Sequence, residues 1–118
     1  MLKPLILLLP LLILPCCGKE KKVTQAPSVE TGSILWKTSC ASCHGADANG
    51  LPDLSPTLVG SEFVSNSTDK ELLEYITVGR KVDDPKSVMN LEMPPKGGNP
   101  MLKENDLLSI VAYIRTLQ

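Results

Sequence analysis

Cys40-Ala41-Ser42-Cys43-His44 is the stretch that decides how this chain is read. Two cysteines two residues apart, followed at once by a histidine, form the C-x-x-C-H pattern of covalent haem attachment. The chemistry explains the spacing. Two thiols must add to two vinyl groups on one edge of a flat macrocycle, and an imidazole must then reach the iron. On a helical turn, positions i, i+3 and i+4 share a face, so Cys40, Cys43 and His44 can address one ligand together. Random ordering of 4 Cys and 1 His in 118 residues would give this pattern about 0.001 times.

The rest of the chain agrees with a cofactor. A length of 118 residues leaves room for one domain. Trp36, Phe63, Tyr75 and Tyr113 are its only aromatics. So small a domain struggles to bury enough apolar surface from its own side chains, and a haem would add planar apolar mass. From Val29 onward, 8 Lys and Arg stand against 12 Asp and Glu. That acidic balance argues against nucleic acid as a partner.

Residues 2–15 (LKPLILLLPLLILP) are an apolar run with one early lysine. The run is short for a membrane span, which needs about 20 residues, and fits the hydrophobic region of an export signal. It ends in Pro15-Cys16-Cys17-Gly18. A cysteine directly after such a run resembles the bacterial lipoprotein signal, in which the cysteine becomes the lipidated first residue. The resemblance favours Cys17, with Cys16 as the alternative. It implies a signal peptide over 1–16, a lipidated flexible tether over 17–28 and a haem domain over 29–118. Lys19, Lys21 and Lys22 have the wrong asymmetry for an uncleaved anchor that exports the C-terminal part. The expected location is the periplasmic side of a bacterial membrane. With two cysteines in the leader and two in the haem pattern, none is left for a disulfide.

An all-α domain of three to four helices is expected. The first helix runs from about Val29 to Cys43 and delivers the haem pattern at its end. The second opens at Thr68-Asp69-Lys70-Glu71, a capping-box pattern, and ends before Gly79. The third runs from about Glu104 to Leu117, where Leu107, Ile110, Val111, Ile114 and Leu117 make one apolar stripe. Residues 45–60 and 79–103 are long and rich in Pro and Gly. Such loops are uncommon in a compact domain unless they serve a function, and a haem would give them something to pack on.

His44 is the only histidine. Bis-histidine ligation within one molecule is thereby excluded, leaving Met, Lys, an amine, an external ligand or an open site. Met93 is the first choice, because Pro94 and Pro95 restrict the backbone that would present a weak thioether ligand. Met101 is second, and Met89 is a packing residue of the same loop. A structural zinc site lacks a fourth Cys or His, and a thioredoxin-like C-x-x-C site lacks the strand that should precede it.

Residues 29–118 resemble the class I monohaem c-type cytochromes of bacteria. Gly32 and Trp36 stand where such proteins carry a small residue and an aromatic, and Cys40, Cys43, His44 and Gly45 match the attachment motif. Pro56-Thr57-Leu58-Val59-Gly60 looks like the family's P-x-L-x-G segment. That likeness implies that the Pro56 carbonyl accepts a hydrogen bond from His44 Nδ1. Met93-Pro94-Pro95 looks like the axial-methionine loop, and Tyr113-Ile114-Arg115 lies in a helix that would cross the first at Gly32. The family often has Ser or Thr where this chain has Lys103, so its last helix starts with a poor N-cap. The loop at 93–100 is also similar to that of cytochrome domains associated with terminal oxidases and alternative complex III.

The resemblance implies one haem c held by Cys40 and Cys43, with His44 and Met93 on the iron. The function it implies is electron transport without enzymatic activity or a small-molecule substrate. The partners would be redox proteins such as a terminal oxidase or a quinol-oxidising complex. Lys37, Lys81 and Lys96 are candidates to ring the haem edge, and Arg80 to meet a propionate. The rival reading is a peroxidase-like enzyme or a gas sensor with an open sixth site.

Overall fold

The computed structural model describes residues 25–118. The leader over 1–16, Cys16, Cys17 and the tether up to residue 24 lie outside the described residues. Helix α1 spans Val29–Ser39. It starts where Ser28 Oγ accepts from Thr31 N–H at 3.1 Å. It stops one residue before the haem pattern, and α2 (Ala41–His44) restarts beyond Cys40. The single helix expected over 29–43 is therefore two, jointed at the first thiol. A five-residue α3, Glu62–Asn66, is a further addition. Helix α4 (Asp69–Val78) carries the expected capping box: Thr68 N–H donates to Glu71 Oε2 at 2.7 Å, and Glu71 N–H to Thr68 Oγ1 at 3.3 Å. Helix α5 covers Glu104–Arg115. Five α-helices, a short 3₁₀ turn over Pro95–Gly98 and no strand are the regular elements of the described residues, so the fold is all-α.

Helices α1 and α5 cross at Gly32. A Cβ there would stand 1.9 Å from the Ser109 carbonyl oxygen and 2.9 Å from Tyr113 Cβ, so any side chain would push the two backbones apart. The crossing lets Trp36, Leu107, Ile110, Val111 and Ile114 close into one core, joined by Leu72 and Ile76 of α4. Burial of these side chains is the main stabilising term, at about 1.5–3 kcal/mol for each large one.

Lys103 offers no side-chain oxygen as a cap, as expected, but Asp106 compensates by accepting from Lys103 N–H at 2.8 Å. Before α1, Gln25 and Ser28 are pinned to α5. Asn105 Nδ2 donates to Gln25 O at 3.3 Å, and Ser28 N–H donates to Ser109 Oγ at 3.1 Å. Arg115 fastens the other end of α5. It donates to Asp69 Oδ1 at 2.8 Å, to Val64 O at 2.6 Å and to Ser67 O, and so locks the α3–α4 junction.

Candidate haem site

Cys40 N–H closes α1 on Trp36 O at 2.9 Å. The Cys40 carbonyl then accepts from both Cys43 N–H (3.1 Å) and His44 N–H (3.0 Å), which winds the attachment residues into one tight turn. Cys40 is buried, Cys43 is exposed and His44 is half-buried. Burial, reinforced by the neighbouring Cys43, pushes the Cys40 thiol up to about 11. Burial also holds His44 below the usual histidine range, so its imidazole is neutral and keeps a lone pair for a metal.

The loop over 45–60 secures this turn from below. Trp36 Nε1 donates to Gly45 O at 3.0 Å, and its ring lies 5.7 Å from that of His44. Gly50 N–H donates to His44 O at 2.9 Å, and Ser55 Oγ donates to Cys43 O at 2.6 Å. The length of the loop is thus used to bind the backbone of the motif.

The facing wall comes from the segment after α4. Arg80 and Met93 exchange both backbone hydrogen bonds, each at 2.8 Å, as an isolated antiparallel pair. Gly79 makes this approach possible: at φ 75° it lies so close that a Cβ would meet Met93 O at 2.3 Å. Met93 is therefore fixed by Gly79 and Arg80 as well as by its two prolines, a constraint with no signal in the linear sequence. Met93 and Met89 line the same cavity as His44. Met101, the second choice as ligand, is 79% exposed and does not line it.

The cavity measures about 570 Å³ and its floor is apolar, with Val64, Leu72, Ile76, Ile110 and Ile114. Cavities for cofactors run from about 300 to 1,000 Å³. Among the described residues, two buried side-chain polar atoms lack a hydrogen-bond partner, His44 Nδ1 and Arg80 Nη2. Both belong to residues that line this cavity. A buried polar atom left unpaired costs about 1–3 kcal/mol, so the Arg80 guanidinium nitrogen argues for a polar ligand there. Arg80 is otherwise fully engaged. Its Nη1 donates to Lys86 O at 2.8 Å, its Nε stands 3.8 Å from Asp84 Oδ2, and its plane covers Phe63 and Tyr75. The residues fit a haem: two thiols, a neutral imidazole and a thioether on the walls, apolar side chains between them, and a guanidinium nitrogen for a carboxylate.

Two sequence expectations change. His44 Nδ1 does not donate to the Pro56 carbonyl. That carbonyl lies against Gly50, within 2.8 Å of where a Cβ would stand, and Pro56 contributes a wall of the cavity instead. The lysine at the cavity is Lys86, whose Nζ donates to Tyr75 Oη at 2.7 Å. Lys37, Lys81 and Lys96 do not line it, and Lys96 Nζ is committed to Leu102 O at 2.8 Å.

The cytochrome c family pattern matches residues 29–118. The chain belongs to the cytochrome c family. Haem c is accordingly its cofactor, bound covalently through Cys40 and Cys43. The chain is similar to the cytochrome bc1 complex cytochrome c subunit of Mycobacterium leprae. The two are 53% identical over 87 residues, which is 74% of this chain and 26% of the relative. It is also similar to the cbb3-type cytochrome c oxidase subunit FixP of Sinorhizobium medicae, at 31% identity over 70% of this chain and 28% of the relative. The chain thus spans about a quarter of the length of these relatives. Among solved structures, cytochrome CL from Methylophaga aminisulfidivorans superposes with a TM-score of 0.53 at 30% identity, over 75% of this chain and 51% of that one.

Proposed function

We propose that this domain is a one-electron carrier of a bacterial respiratory chain, with His44 and Met93 as the axial ligands of its iron. The observation that carries the reading is that both residues line one cavity, and that Met93 does so on a backbone locked to Arg80 at two points. Haem c, when bound, supplies an iron that alternates between the ferrous and ferric states. His44 contributes a neutral imidazole, and Met93 a thioether that favours the ferrous state and raises the potential. Held by both His44 and Met93, such an iron would offer dioxygen no ready position, which favours electron transfer over catalysis. Arg80 Nη2 is the donor for a haem carboxylate, and the apolar floor keeps water away.

The relatives support a place beside a quinol-oxidising complex or a terminal oxidase. Encounters with such partners would be small, below about 1,200 Å². Cys17 (alternatively Cys16), lipidated after removal of residues 1–16, would hold the domain on the periplasmic side of a membrane. Met93→Ala tests the ligation. The Met–Fe(III) charge-transfer band should vanish, the potential should fall, and ferrous protein should gain carbon monoxide binding. An unchanged spectrum, or ready carbon monoxide binding by the native protein, would overturn the reading in favour of an open-site haem protein.

A further inference from the structure

We propose that Asn99 and Ser39 form a clasp that keeps Met93 on the iron, a positioning role that rests on the axial ligation proposed above. The segment over 93–102 is a strap with two anchors. One is the backbone pair between Arg80 and Met93. The other lies across the cavity, at the joint between α1 and α2. There Gly97 passes so close that a Cβ would stand 2.9 Å from the Ser39 carbonyl oxygen and 3.9 Å from Cys40 Sγ. Asn99 Nδ2 donates to Ser39 Oγ at 3.1 Å, and Asn99 Oδ1 accepts from Met101 N–H at 3.1 Å. One amide group thus binds both the end of α1 and its own strap.

Inside the strap, Gly97 N–H donates to Pro94 O (3.1 Å), Asn99 N–H to Lys96 O (3.2 Å) and Leu102 N–H to Asn99 O (3.2 Å). These bonds make it a stiff loop, so tension at Asn99 is felt at Met93. Ser39 immediately precedes the first haem thiol, and His44 lies five residues further on. The clasp therefore ties the methionine wall to the histidine wall on the protein side. A thioether is a weak ligand and an added imidazole competes with it. The outcome depends on how firmly the loop returns Met93 to its place, and here one hydrogen bond is the adjustable part.

The test is an imidazole titration of the ferric, haem-loaded protein, monitored by loss of the Met–Fe(III) charge-transfer band. Ser39→Ala should raise imidazole affinity about five-fold, the value of one net hydrogen bond, and Asn99→Ala at least as much, because it also loses the bond from Met101 N–H. The double variant should be no worse than Asn99→Ala alone, because the Asn99–Ser39 bond is already lost in that single variant. Asn99→Asp should restore the native affinity, since its carboxylate can accept from both Ser39 Oγ–H and Met101 N–H. Ser109→Ala removes a buried hydroxyl between α5 and Ser28, and should lower stability without moving imidazole affinity. Native affinity in Asn99→Ala, or an equal rise in Ser109→Ala, would overturn the clasp. A native protein without the band would overturn the ligation itself, a result distinct from a native band that Asn99→Ala leaves unmoved.

Discussion

Gly79→Ala is the sharpest test of how the methionine wall is held. Gly79 sits at φ 75° and ψ −168°, a region that residues with a side chain almost never enter. The backbone conformation alone would cost about 1–3 kcal/mol. The new Cβ would meet Met93 O at 2.3 Å, Pro95 N at 2.7 Å and Pro94 C at 2.8 Å. All three are backbone atoms of one strap, so no side chain can swing aside. Relief requires the strap to retreat and the two Arg80–Met93 hydrogen bonds to break, at about 1 kcal/mol each. The sum is about 3–5 kcal/mol. For a domain of this size that lowers Tm by more than about 12 °C, at 4–8 °C per kcal/mol. Gly60→Ala is the matched control: its φ is 60°, yet a Cβ there would have nothing within 4 Å. It should lose only the conformational part, about 1–2 kcal/mol. Thermal unfolding of the haem-loaded proteins measures the difference, and an imidazole titration reports whether Met93 has moved. If both variants lose the same stability and Gly79→Ala keeps native imidazole affinity, the strap is not held at Gly79.

Two further outcomes concern the ionisable groups. In haem-free protein at pH 8, iodoacetamide should label the exposed Cys43 well before Cys40. With its thiol pushed up to about 11, Cys40 should react about 100-fold more slowly than an ordinary thiol, because thiolate is the nucleophile; comparable labelling of both would refute its burial. Glu71 is held below the usual carboxylate range, first by the Thr68 backbone N–H and then by its hydroxyl. A lowered folded value means that its contribution is present above the unfolded value near 4.5 and is lost as pH falls through the folded one. The Tm gap between native protein and Glu71→Gln should therefore shrink between pH 7 and pH 3, and a constant gap would show that the carboxylate charge plays no part in the cap.

The legible parts of the sequence were those whose physics is local. The attachment turn announces itself in five consecutive residues. The α4 cap is written as Thr68 and Glu71, and α5 as an apolar stripe with a 3.6-residue period. Helix α3 escaped because five residues span less than two turns and show no period, although Ser61 before Glu62 is a cap signal of the same kind. The break at Cys40 escaped because pattern reading tracks side-chain period, while the joint is a backbone event at φ −118°. The Arg80–Met93 pair and the grip of Arg115 on Asp69, Val64 and Ser67 join residues far apart in sequence. Nothing in a linear pattern encodes an isolated bridge or a guanidinium that reaches three carbonyl or carboxylate groups at once.

That division explains why the cavity has two unlike walls. The histidine wall is a local turn fixed by hydrogen bonds within 20 residues, from Trp36 to Ser55. The methionine wall is assembled from α4, Gly79, Arg80 and a strap, and α4 in turn packs on α5. Val64, Leu72, Ile76, Ile110 and Ile114 belong to the core and also floor the cavity, so a group bound there would extend the core instead of sitting beside it. Attachment at Cys40 and Cys43 would draw mainly on the local turn, whereas the ligation proposed for Met93 would draw on the whole fold. A substitution that loosens the α1–α5 crossing, as at Gly32, should therefore cost the methionine bond before it costs the covalent haem.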